Sequence, residues 1–363
     1  MTPTRDSRAQ SIFDTLASMA RERTSVETSD FAEKFVVQYF AGTAADDLLS
    51  VDVSNLYGAA MTHLTFARDR LPGTAKVHVY NPQFQQHGWQ STHTIVEIVM
   101  DDMPFLVDSV RMALNQRGLT THLIVHPVVR LKRAPDGSLI DVLLPDDKDC
   151  SAVITEAVMH CEVDRQTETP ILEAIRDDVE KALGDVAVAV EDWADMRLKL
   201  GEVIDSLRER PPPIDLNQLA EGIEFLKWMD NNHFTFLGYR EYVLSSEAGQ
   251  DELWSTASSG LGLLRNPLGA SVSHGFATLS EEKRREARIP DLLVITKGNH
   301  RSTVHRPTYM DYVGIKQINA EGEVTGEHRF LGLYTSAAYN RNPRSIPLLR
   351  TKVKRIVEQA GYP

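Results

Sequence analysis

The sequence predicts an α+β fold, and three features carry that expectation. Apolar residues recur at helical spacing through residues 6–70, the pattern switches to strand-like alternation at Ala75, and a strand, helix, strand, strand, helix order runs from Thr94 to Leu183. At 363 residues the chain suits about two domains. Its 42% apolar and 25% charged residues are ordinary for a globular protein, which excludes disorder and fibrous architectures. It has no internal repeat and no biased tract.

Residues 1–74 read as a helical lead-in. Ile12, Leu16 and Met19, then Phe31, Phe35, Val36, Tyr39 and Phe40, recur at steps of three and four, with Ser29 and Asp30 placed to cap the second segment. Lys76-Val77-His78-Val79-Tyr80 alternates as a short strand that Asn81-Pro82 ends. Thr94 to Met100 is β-branched and apolar. Asp101-Asp102-Met103-Pro104 then leads into a helix bearing Leu106, Val110, Ala113 and Leu114, closed by Gly118. Leu119 to Arg133 reads as a strand, Pro135-Asp136-Gly137 as a turn, and Leu139–Leu144 and Ala152–Val163 as further strands. Thr169-Pro170 opens a helix with Ile171, Leu172, Ile175, Val179 and Leu183 on one side. This order is ferredoxin-like, with helices on one face of an antiparallel sheet.

Residues 186–190 alternate like a strand, but Val190, Trp193, Met196, Leu200, Val203 and Leu207 fit a helix, which is the preferred reading; the domain therefore runs over 75–210 with a trailing helix. Pro211-Pro212-Pro213 cannot continue that helix, so a second domain is placed at 215–363. It begins with a helix carrying Leu219, Ile223, Leu226 and Met229, followed by an aromatic strand from His233 to Tyr242. Strands at Asp291–Thr296 and Met310–Ile318, a turn at Asn319–Glu323 into His328–Tyr334, and a helix from Ile346 to Gln359 complete a PAS-like α+β domain.

The formal charge of −12 opposes nucleic-acid binding, which depends on Lys and Arg displacing counterions. Two cysteines, Cys150 and Cys161, are too few for a disulfide framework and lack the paired spacing of a structural zinc site, which points to a reducing cytoplasm. No signal peptide or membrane span is expected. Residues 297–363 carry a local balance of +6, and Arg341, Arg344, Arg350, Lys352, Lys354 and Arg355 are spaced along a helix surface. Arg341, Arg344 and Arg350 are the candidates for a contact with the acidic remainder of the chain or of another subunit.

Four places in the sequence carry residue types suited to chemistry. Gly260-Leu261-Gly262-Leu263-Leu264-Arg265 has two glycines but no third and no preceding buried strand, so a dinucleotide loop is not expected. His122 and His126 would share a metal on a helix, but in a strand that spacing separates them by roughly 13 Å. His160 and Cys161, consecutive in a strand, face opposite sides and cannot form an activated thiol pair. The loop Asp101, Asp102, Met103, Phe105 and Leu106, at a helix N-terminus, could hold a small zwitterion. The plainer expectation there is that Asp102 or a neighbour caps the helix and Phe105 fills the core. No catalytic, cofactor-binding or metal-binding residue is predicted.

Thr92-His93-Thr94, Asp101 to Ser109 and His122-Leu123-Ile124-Val125-His126-Pro127 resemble the amino-terminal region of the large NAD-specific glutamate dehydrogenases. So do Asn232 to Tyr242, Val304-His305-Arg306-Pro307, Arg329 to Ser336 and Tyr339 to Pro347, so that the resemblance spans about residues 30–363. It implies a long chain that oxidises L-glutamate to 2-oxoglutarate and ammonia with NAD. The catalytic lysines and nucleotide-binding fold would lie downstream of Pro363, and NAD would not bind to this segment. The resemblance also implies ACT-like and PAS-like domains, assembly as a homo-oligomer, tetramer or hexamer, and a possible amino-acid effector. Two roles follow for the segment, an amino-acid sensor or a purely structural scaffold for oligomerisation. In ACT domains the ligand-binding loop has a glycine after proline; Phe105 stands there, which favours assembly. The fourth ACT strand is not evident after Leu183, and Lys76–Tyr80 is the candidate to replace it.

Overall fold

The computed structural model describes residues 7–148, 151–245, 251–265, 271–278 and 280–361, and divides into two compact units, Met1–Gly184 and Asp185–Pro363. The first unit starts with helices α1 (Ser7–Arg23), α2 (Val26–Tyr39), α3 (Ala45–Leu49) and α4 (Val53–Phe66). Strand β1 (Lys76–Tyr80), a short helix α5 (Phe84–His87), β2 (Thr94–Asp101) and α6 (Leu106–Gln116) follow. Then come β3 (Thr121–Val125), β4 (Val128–Arg133), β5 (Leu139–Leu143), β6 (Ile154–Val163) and α7 (Thr169–Glu191). Helix α2 begins behind Ser25, so Ser29 and Asp30 lie inside it and do not cap it.

The strands form one antiparallel sheet in the order β1-β2-β6-β4-β5, with β3 also on β6. Strand β1 pairs with β2, His78 opposite Glu97, and so fills the edge place that a strand after α7 would take in a ferredoxin-like sheet. The single strand expected over 119–133 is two. Pro127 has no amide for the ladder, and pairing with β6 resumes on either side of it.

Residues Thr94 to Met100 of β2 are all buried, so both sheet faces are covered. The strand period of two sorts them. Ile95, Glu97 and Val99 share a face with Glu156, Val158 and His160 of β6. On that face, Leu16, Ala20, Phe35, Val36, Tyr39, Ala60 and Leu64 of the lead-in helices form one core with Val125, Val129, Leu131, Val142 and Val158. The lead-in is thus the second layer of the first unit. On the other side Val96, Ile98, Met100, Ala157, Met159, Cys161 and Val163 are buried, as are Val110, Leu114, Ile175, Val179 and Leu183 of α6 and α7. These two helices are joined by Arg117 Nε donating to Asp178 at 2.5 Å.

Helix α4 meets Trp89 at Gly58, where an added Cβ would stand 2.4 Å from Trp89 Cβ. Gly58→Ala should therefore cost about 1–3 kcal/mol, read as a lower melting temperature. An unchanged melt would show that the helix can simply shift.

In the second unit α8 (Trp193–Glu209) and α9 (Leu216–Trp228) precede a π-turn, Met229–His233, in which Asn232 has φ 58°. The helical reading of 186–207 holds. Next are β7 (Phe234–Ser245), β8 (Glu252–Ser255), β9 (Leu261–Gly262), α10 (His274–Ala277), α11 (Glu281–Glu286) and β10 (Leu293–Arg301). The unit ends with β11 (Tyr309–Ile318), β12 (Val324–Tyr334), α12 (Ser336–Tyr339) and α13 (Leu349–Gln359). The sheet is antiparallel in the order β10-β11-β12-β7-β8, with β9 on β7. One face carries the core: Met196, Leu200, Leu226 and Met229 pack with Phe236, Tyr239, Val313, Ile315 and Phe330.

Candidate functional site

At the β2–α6 junction the expected side-chain cap, from Asp102 or a neighbour, is not formed. The N-cap residue of α6 is Phe105, in the left-handed region at φ 74°, and its side chain makes no cap hydrogen bond. That backbone is the one glycine adopts at least cost, so this is a glycine-type position occupied by a half-buried aromatic ring. Leu106 is buried and Asp102 exposed, with the Asp102 amide donating to Thr155 O at 3.2 Å. Met103 is half-buried. Asp101 is already engaged, accepting from Arg70 Nη2 at 2.5 Å and from the Gly73 amide at 2.7 Å.

Arg70 leads to an ionic cluster inside the unit. Glu156 is completely buried and accepts from Arg70 Nε at 3.0 Å and Nη2 at 2.7 Å. Arg133 donates to the same carboxylate, Nε at 2.6 Å and Nη2 at 2.7 Å. Two guanidiniums in fork geometry thus neutralise one carboxylate away from water.

A second buried carboxylate on the same face has different company. Glu97, at 0% exposure, accepts from the Tyr80 hydroxyl at 2.9 Å, and its Oε2 stands 3.6 Å from His78 Nδ1. Burial works against its charge, but His63, His78, His160 and Tyr80 outweigh it and hold its pKa below the usual carboxylate value. His63 is also fully buried. Its Nε2 donates to Ile98 O at 3.2 Å, so Nδ1 accepts from the Tyr39 hydroxyl at 2.8 Å. Burial drives the His63 pKa down to about 4 and keeps the ring neutral. His160 sits opposite Glu97 in the ladder, with Nε2 3.5 Å from Glu162 Oε1.

From Glu162 the polar chain reaches the surface. His93 Nδ1 bonds Glu162 at 2.7 Å, and the His93 ring stacks on His122 at 4.3 Å. His122 bonds Asp164 at 2.8 Å; the Thr120 amide and His122 hold Asp164 down to about 2. His126 is separate, in the break between β3 and β4. A cleft of about 960 Å3 opens beside this chain, lined among others by Phe40, Trp89, His93, Leu123, His160 and Arg165. Cys161 is buried on the opposite face, where burial pushes its thiol up to about 12 and makes it a poor nucleophile. Cys150 lies outside the described residues.

Sequence reasoning did not find this layer, because His63, Glu97 and His160 are brought together only by the packing of α4 on the sheet. The available signal was a single glutamate inside the apolar run Thr94 to Met100.

In the second unit Gly260 to Arg265 does not form a phosphate cradle. Gly262 pairs with Gly238, and its amide donates to Asp192 Oδ2 at 2.7 Å. Arg265 clamps Asp192 with two bonds of 2.6 Å. An added Cβ on Gly262 would lie 2.3 Å from Leu237 O, so the glycine serves close packing of the loop. Of the three candidate interface arginines, Arg341 and Arg344 are exposed. Arg350 is engaged within the unit, donating to Glu221 from Nε at 3.0 Å and Nη2 at 2.5 Å, where Glu221 also accepts from the Leu348 amide.

Residues 35–179 match the family model described as glutamate dehydrogenase, ACT1 domain. The chain is 36% identical over 331 residues to the NAD-specific glutamate dehydrogenase of Halomonas elongata, covering 91% of this chain and 20% of that protein. It is 36% identical over 332 residues to the enzyme of that name from Pseudomonas aeruginosa, covering 90% and 20%. With that of Mycobacterium tuberculosis it shares 25% identity over 302 residues, covering 82% and 17%. The chain thus spans about a fifth of the length of the curated relatives it matches. Over about nine-tenths of its own length the chain is thus similar to NAD-specific glutamate dehydrogenases, and its residues 35–179, which include the ferredoxin-like sheet, match the ACT1 domain of that name.

Proposed function

We propose that the chain is the amino-terminal regulatory and assembly region of an NAD-specific glutamate dehydrogenase. As a whole that protein would convert L-glutamate, NAD and water to 2-oxoglutarate, ammonia and NADH in the cytoplasm. In this reading residues 1–363 contribute no catalytic group and bind no NAD, and the hydride transfer belongs to a downstream catalytic region of the same chain. The observation that carries the reading is the ACT1 match over residues 35–179 on a sheet with the ferredoxin-like order. No described helix is long and apolar enough to cross a membrane. The test is the rate of NADH formation by the full-length protein, with and without millimolar amino acids. A changed rate supports an effector role, and an unchanged rate and melting temperature count against it.

A second reading, assembly without an effector, is favoured by the β2–α6 loop. Asp101 is committed to Arg70 and Gly73, and a phenylalanine occupies the glycine-type position. In this reading the exposed Arg341 and Arg344 contribute to contacts between subunits of a tetramer or hexamer. Arg341→Glu combined with Arg344→Glu should shift the full-length protein to smaller species in size-exclusion chromatography with light scattering. An unchanged mass would remove these residues from the interface.

A further inference from the structure

The two carboxylates buried on the lead-in side of the first sheet differ in one respect. Glu156 has two arginines, whereas the charged neighbours of Glu97 among the described residues are histidines. A buried carboxylate without a cation is costly, and such a group marks a place where a positive charge belongs. Ligand atoms of His63, Glu97 and His160, all three residues buried, lie within 4.8 Å of one another. Two of the buried polar atoms have no hydrogen-bond partner, Glu97 Oε2 and His160 Nδ1.

We propose that His63, Glu97 and His160 form a binding site for a divalent transition metal ion of the zinc type. Two imidazoles and one carboxylate are a donor set that zinc takes. The surroundings also have the form of a metal site's outer shell, in which each ligating histidine hands its other ring nitrogen to a carbonyl or a carboxylate. His63 Nε2 is held by Ile98 O at 3.2 Å, and His160 Nε2 lies 3.5 Å from Glu162. That leaves Nδ1 in both rings. His160 Nδ1 is unpartnered; His63 Nδ1 accepts from Tyr39, whose hydroxyl has to turn aside when the metal enters. Donors about 2.0–2.2 Å from zinc stand about 3.3–3.6 Å apart, so the three groups draw together by about an ångström on binding. His160 also lines the 960 Å3 cleft, which gives the ion a route from solvent. The role is structural: the ion ties α4 of the lead-in to two strands of the ACT-like sheet, independently of how the enzyme is regulated.

The experiment loads chelator-treated full-length protein with zinc, removes free metal and measures bound zinc by mass spectrometry, with affinity from competition against a chromophoric chelator. The wild type should hold one zinc per chain and melt at a higher temperature than the chelated form. His160→Gln should lose at least tenfold in affinity, and Glu162→Gln, which alters only the outer shell, about 10–100-fold while remaining folded. His122→Gln, on the surface, should bind as the wild type does. A cobalt-loaded wild type should show the absorption bands of a low-coordinate site that are absent in His160→Gln. The proposal is overturned if folded wild type retains no zinc, or if zinc is lost in His122→Gln and retained in His160→Gln.

Discussion

Glu156→Ala should lower the stability of the first unit by about 3–5 kcal/mol, the cost of leaving buried charge without its partner. Its carboxylate is completely buried and takes four hydrogen bonds from Arg70 and Arg133, whose side chains are themselves 0% and 2% exposed. Neither guanidinium can lose its proton, and neither can reach water without opening the sheet edge. Asp101 would remain for Arg70, bonded to the same Nη2 that Glu156 holds, but Arg133 would lose its carboxylate partner. Urea denaturation reads the loss. Glu202→Ala, which breaks an exposed pair with Lys199 at 2.8 Å, is the control and should stay within about 0.5 kcal/mol. A loss below 1 kcal/mol for Glu156→Ala would mean that solvent reaches this cluster.

Acidification should destabilise the chelator-treated protein well before general acid unfolding. The His63 pKa is about 4 in the fold, against 6.5 for an ordinary imidazole side chain. Between these values the unfolded state binds a proton that the folded state refuses, so stability is complete above about pH 6.5 and falls as pH drops toward 4. The size is about 3 kcal/mol for this fully buried ring. Tyr39, Glu97, His78 and His160 face it, and Glu97, whose pKa is also lowered, adds a loss of the same sign below its ordinary titration range. His126 and His328 are lowered too, so the diagnostic is the difference between wild type and His63→Gln. The variant should show a shallower fall of stability from pH 7 to 4.5. Parallel profiles would contradict a neutral, desolvated His63.

The elements were legible where side-chain periodicity decides them. Strand β1 alternates and β2 is a buried β-branched run, and their positions follow from that alone. The replacement of the missing fourth strand by Lys76–Tyr80 was legible because the segment after Leu183 that alternates, 186–190, fits a helix better. The split at Pro127 and the left-handed Phe105 were not anticipated: the first depends on which strand partner needs an amide, the second on a turn whose geometry overrides the side chain's preference. The polar layer was invisible for a different reason. His63 lies on a helix face among Leu56, Ala60 and Leu64, and reads as one more core position until the helix is laid on Glu97 and His160. The clamp of the Gly260 loop by Asp192 and Arg265 depends on contacts across the unit that no local pattern announces.

In the function proposed above, this chain is part of a glutamate-oxidising protein and the oxidation is carried out elsewhere in it. Purified residues 1–363 and the full-length protein, assayed side by side with L-glutamate and NAD at 340 nm, test it most directly. NADH should form with the full-length protein and not with residues 1–363. NADH formed by residues 1–363 alone, or its absence from the intact full-length protein, would contradict it.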